Sequence, residues 1–251
     1  MNRIMFGTML WLGAMAMASG EPVHDAARAG RLDEVKAAIK ATPFLRSAQD
    51  AGGQTPAILA AGAGQVAVVE YLLSVGVKVD DATPTKRTML HAACDGGKLE
   101  MAKYLVLKHR ANVKAADERG LQPIHLAAQR NPIELLQFLI DQRADVNAQS
   151  KVGATPIMGA VNKKMRPQVE LLLKNKADPN KAGEMGRTPL HYAVQQKDLP
   201  MVELLVKAGA KSGPKNSTGN TALDEATAAG LTDIVTLLER TSGVRKRPGA
   251  K

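Results

Sequence analysis

The chain has 251 residues, of which only 3% are aromatic, so Ala, Leu and Val rather than large rings must fill its core. The formal net charge is +10, but it is spread along the chain and no aromatic residues are interleaved to stack on bases, which argues against a nucleic-acid partner. The one cysteine, Cys94, has no second thiol to bridge, which leaves out a disulfide scaffold and a cysteine-based zinc site.

Residues 1–20 read as a signal peptide. Arg3 is their only charge, an apolar run extends from Ile4 to Ala18, and Ala16-Met17-Ala18 supplies the small residues that a signal peptidase reads. A second cleavage site ends at Gly20. The run is shorter than the roughly 20 residues of a membrane span. No cysteine lies near for a lipid anchor, and no twin-arginine pair precedes the run. Export is expected, to a periplasm first and the medium second, with no transmembrane segment in the mature chain.

From Glu21 onward one seven-residue pattern recurs. Its fullest form is Thr188-Pro189-Leu190-His191-Tyr192-Ala193-Val194, and related copies begin at Thr55, Thr88, Gln122, Thr155 and Thr221. Successive starts lie 33, 34, 33, 33 and 33 residues apart. A disguised copy, Glu21-Pro22-Val23-His24-Asp25-Ala26-Ala27, precedes them. Each letter suits a helix start. The Thr caps free backbone N–H groups, the Pro takes the first helical position, and the small Ala lets a second helix approach. An apolar run at helical spacing follows each copy, as in Leu135, Leu136, Phe138 and Leu139, or Val169, Leu171, Leu172 and Leu173. These rows are expected to be core. Turn signals close each pair, most clearly Ala144-Asp145-Val146-Asn147 and Ala177-Asp178-Pro179-Asn180. The single longer step places one extra residue near Lys108-His109-Arg110. Two copies lack the glycine that ends the first helix, so Asn131-Pro132 and Lys163-Lys164-Met165-Arg166-Pro167 are expected to be irregular loops.

This periodic pattern resembles the ankyrin repeat, whose signature is T-P-L-H-x-A at a period of 33. The resemblance covers Glu21 to Arg240 and implies an all-α repeat. The fold would be an ankyrin solenoid of about seven helix-turn-helix units with projecting β-hairpin loops. The organisation follows: residues 1–20 signal peptide, 21–49 an N-terminal capping unit, 50–214 repeats, 215–241 a C-terminal capping unit, and 242–251 a disordered basic tail. Asp224 stands in the last copy where histidine would. The other motif histidines, His24, His91, His125 and His191, lie too far apart across packed helices to converge on one metal ion. In resembling proteins this histidine ties neighbouring units together, and Cys94 reads as a small buried hydrophobe.

The resemblance further implies a non-enzymatic protein-binding module without cofactors, which contacts its partner through loop tips and the ends of the first helices. Carried onto this chain, that surface comprises Arg87, Arg119, Leu121, Arg130, Val152, Lys163, Arg187 and Gln195. Cationic groups around apolar ones suit a protein partner with an acidic patch. An envelope protein is the expected target, and the chain is expected to be a monomer. The alternative is electrostatic binding to an anionic polymer or membrane surface.

Overall fold

The computed structural model describes residues 21–242. The predicted signal peptide, residues 1–20, and residues 243–251 of the predicted basic tail lie outside the described residues. Two compact units divide between Glu118 and Arg119. The first contains α1 (Glu21–Ala29), α2 (Leu32–Ala41), α3 (Pro56–Ala63), α4 (Val66–Ser74), α5 (Met89–Asp95) and α6 (Leu99–Lys103), which runs on as a π-helical turn, Tyr104–Lys108. The second contains α7 (Pro123–Ala127), α8 (Ile133–Asp141), α9 (Pro156–Asn162), α10 (Arg166–Lys174), α11 (Pro189–Gln195), α12 (Leu199–Lys207), α13 (Ala222–Ala228) and α14 (Thr232–Ser242).

Within each unit the short motif helices stack on one another, α1 on α3 on α5, and α7 on α9 on α11 on α13. Each also packs on the helix that follows it. The motif alanines make this approach possible: Ala26, Ala60, Ala93, Ala160, Ala193 and Ala226 are buried. Cys94 is buried in the same layer, and burial pushes its thiol pKa up, which keeps it protonated. Leu135, Leu136, Leu139, Val169, Leu172, Val202 and Leu205 are buried on the inward side of the second helices. Phe138, Leu171, Leu173 and Leu204 turn partly outward, so only one stripe of each apolar run is core.

The expected β-hairpins are reduced to turns. Among the described residues, strand pairing is confined to two isolated antiparallel bridges, Ala82 with Thr88 and Lys215 with Thr221. The loops close on a few backbone bonds, such as Ser150 N to Ala154 O and Gly183 N to Arg187 O, both 2.9 Å. The helix N-cap follows at once, leaving no length for a strand of at least about three residues.

The motif histidine binds in two directions. Its Nδ1 accepts the backbone N–H of the helix N-cap, from Thr88 to His91 at 3.2 Å, Gln122 to His125 at 3.0 Å and Thr188 to His191 at 3.1 Å. With Nδ1 an acceptor, the proton sits on Nε2, a tautomer assigned from this network. Nε2 then donates onward, from His24 to Ala48 O at 2.9 Å, from His125 to Ala148 O and Ala154 O at 3.1 Å, and from His191 to Asn220 O at 3.3 Å. Asp224 does only the first job: it accepts the Thr221 N–H at 2.8 Å.

Of the two loops expected to be irregular, one is regular and one is not. Lys164, at φ 55°, adopts the left-handed conformation found at Gly64 and Gly97, so its loop is regular. Lys197 does the same at φ 53°. A lysine there bears the strain that glycine avoids. The Asn131–Pro132 loop is irregular, with a cis peptide bond. The buried Gln168 side chain braces it, donating to Arg130 O at 2.9 Å and Asn131 Oδ1 at 3.0 Å. The extra residue of the 34-residue step is taken up as the π turn Tyr104–Lys108, slightly before the predicted place.

Burial holds the His191 pKa below the ordinary imidazole value of 6.5. Its stabilisation is therefore complete above that ordinary value and declines as pH falls below it towards the folded pKa. Melting curves taken at about pH 7.5 and 5.5 should show the lower Tm in acid, with a smaller difference in His191→Gln. An undiminished difference in that variant would assign the acid sensitivity elsewhere. Leu172→Ala, which empties a fully buried site, should cost about 2–5 kcal/mol in denaturant unfolding.

Candidate interaction surface

The loops between helix pairs are joined to one another by single backbone bonds. In the first unit Glu118 N donates to Thr85 O at 2.8 Å. In the second, Lys151 N donates to Arg119 O at 2.9 Å and Ser217 N to Met185 O at 2.7 Å. Glycines make this approach possible. Gly120, Gly153 and Gly186 all have φ near +70°, and a Cβ on Gly120 would meet Lys151 N at 2.7 Å. On Gly153 it would meet the Gly183 Cα at 3.2 Å. A row of loop tips results in the second unit, holding Arg119, Lys151, Val152, Glu184 and Met185. Val152 and Met185 are 50% and 59% exposed, unusually open for large apolar side chains.

The residues singled out from the sequence fall into two groups. Arg119, Arg130, Val152, Lys163 and Gln195 are exposed in the second unit, whereas Leu121 there is half-buried. Two arginines are tied into the scaffold. Arg87, in the first unit, is bonded to Asp95 Oδ2 at 3.0 Å. Arg187 is held more firmly: it pairs with Glu225 Oε2 at 3.0 Å and lies over the Tyr192 ring at 5.3 Å. The position eight residues after Arg87 is the acidic Asp95, but the one after Arg187 is neutral Gln195. Arg187 therefore reaches into the next repeat for its carboxylate. Sequence reasoning missed these pairings, although the Asp95/Gln195 difference at one repeat position signals them.

The loop tips expose both cationic and apolar side chains. Both ring nitrogens of His125 and His191 are engaged in scaffold bonds. Among the described residues no group of three or more His, Cys, Asp or Glu is placed to hold a metal ion. No described helix is long and apolar enough to cross a membrane.

The profile described as Ankyrin repeats (3 copies) matches residues 76–150 and 157–247, and Ankyrin repeats (many copies) matches residues 23–73. The chain belongs to the ankyrin-repeat family. Similar curated proteins include Ankyrin repeat protein nuc-2 of Neurospora crassa, 31% identical over 48% of this chain and 11% of that protein. Inversin of Gallus gallus is 31% identical over 47% of this chain and 11% of its own length. Probable E3 ubiquitin-protein ligase XBOS32 of Oryza sativa is 33% identical over 49% of this chain and 25% of its length. The ankyrin chain thus aligns with a quarter or less of these relatives. Ankyrin repeats generally mediate protein–protein binding.

For this ankyrin unit, Gly153→Ala should lower stability by about 1–2 kcal/mol, because its φ of 74° disfavours any side chain. Chemical denaturation checks this, and a wild-type midpoint would show that the loop row tolerates repositioning.

Proposed function

We propose that the chain is a non-enzymatic ankyrin module that binds and modulates or stabilises another protein through the loop tips of its second unit. The observation that carries this reading is the exposure of Val152 and Met185 on neighbouring loops beside the exposed cations Arg119 and Lys151. Apolar tips contribute affinity, and surrounding charge contributes orientation and association rate. The partner is a protein with an acidic patch. The Arg3 and Ala16-Met17-Ala18 pattern supports export, which places the partner in the periplasm or envelope, or outside the cell, and the chain acts there as a monomer. Counting each helix pair as one repeat gives seven units with hairpin-like loops, capped at residues 21–49 and 215–241.

Overall positive charge favours a second reading, adhesion to an anionic polymer or membrane surface. Binding kinetics at two salt concentrations separate the two, using a partner recovered from the exported fraction with mature protein as bait. Val152→Asp should weaken protein binding by more than about 1 kcal/mol, because it places an unpaired charge at a dry contact. Arg119→Glu should mainly slow association. Arg187→Glu is the poorer probe, since it breaks the Glu225 pair and should lower Tm as well. Equal, purely salt-dependent losses at every basic site would favour the polyanion reading.

A further inference from the structure

A second feature lies in the first unit, away from the loop tips. The π turn at Tyr104–Lys108 faces the end of α4, and between them is a cleft of about 380 Å³. That volume falls at the lower end of the roughly 300–1,000 Å³ range of small-molecule sites. Leu73, Val77 and Val79 line it with apolar surface, and Glu70, Tyr104, Lys108 and His109 supply its polar groups. Tyr104 Oη, which lies beside Glu70 and Lys108, and His109 Nε2 are both buried and make no well-formed hydrogen bond among the described residues. Buried polar atoms left unmatched are costly, and two in one cleft point to a missing partner.

The chemistry of that partner follows from the donors. Burial, followed by the Glu70 charge, raises the Tyr104 pKa, so its hydroxyl stays protonated and donates. Lys108 Nζ gives one bond to Glu70 Oε1 at 2.8 Å and lies 5.0 Å from the Tyr104 ring centre. Two of its three ammonium hydrogens remain for another acceptor. His109, its ring tilted against Tyr104 at 4.9 Å, supplies a further donor when Nε2 carries the ring proton. Donors therefore outnumber acceptors, which calls for an anionic head. The Glu70 carboxylate in the same wall argues against a dianion. The π turn is the cause of this grouping, since its extra residue brings Tyr104, Lys108 and His109 to one rim, and such turns recur at functional sites.

We propose that this cleft binds a small monocarboxylic acid with an apolar body, its carboxylate accepting from Tyr104, Lys108 and His109. The body rests on Leu73, Val77 and Val79. Tyr104–Lys108 is the only π-helical turn among the described residues, so no other described repeat groups its residues in this way.

Benzoate titrated into the mature chain, followed by side-chain NMR of Tyr104 and His109, tests the proposal. Benzamide and inorganic phosphate are the parallel probes. Saturable shifts with benzoate, at least about tenfold weaker with benzamide or phosphate, are expected. Tyr104→Phe removes only a hydroxyl and Lys108→Gln only a charge; each should weaken benzoate at least about tenfold while leaving Tm near wild type. Shifts that never saturate, equal binding of benzamide, or full affinity in both variants would overturn the assignment and leave the two orphaned atoms to solvent.

Discussion

Stacking in this molecule depends on an imidazole that is bonded on both sides. An ordinary helix N-terminus leaves backbone donors open, and His91, His125 and His191 each close one of them through Nδ1. Fixing that acceptor sets the tautomer and leaves Nε2 with a proton to give. The next loop supplies the carbonyl, so the local problem of ending a helix and the tertiary problem of joining repeats share one solution. Apolar burial supplies most of the driving force, but the small alanines that allow it give little directional information. Register between neighbours comes from the histidine and from the single backbone bonds between loops.

That division of labour explains which side chains stay exposed. Helix faces are consumed by stacking, and Arg87 and Arg187 are drawn into ion pairs with Asp95 and Glu225. Loop tips are held by backbone groups and glycines, which leaves side chains such as Val152 and Met185 without structural duties. The π turn adds a different kind of opening, in which a one-residue insertion disturbs helix geometry without disturbing the apolar stripe. Leu105 and Ala111 stay buried on either side of it, so the repeat tolerates the insertion.

Much of this was legible in the sequence because a repeat supplies its own internal comparison. The phase of the motif placed the helices, the buried Cys94 and the histidine role. The 34-residue step announced an insertion, though not that a helix would absorb it as a wider turn. Backbone conformation was the least legible part. Lys164 looked like a broken helix end, yet lysine takes the left-handed position at moderate strain, and Lys197 does so without attracting notice. Side-chain reach was equally hidden: nothing local says that Arg187 would pass over its own repeat to Glu225, or that Gln168 would brace the loop before it. The loop arms read as hairpins because their ends pair, but too few residues lie between a tip and its N-cap to make a strand.

The forward aim of the histidine gives the chain a direction in time as well as in space. His24 waits for a carbonyl 24 residues later in the sequence, and His191 for one 29 residues later. During synthesis each imidazole therefore emerges before the group that satisfies it, and a repeat is finished only by the arrival of its successor. Fraying is unequal for the same reason. Loss from the amino end returns a loop carbonyl to water, whereas loss from the carboxyl end strands a proton donor inside a dry stack.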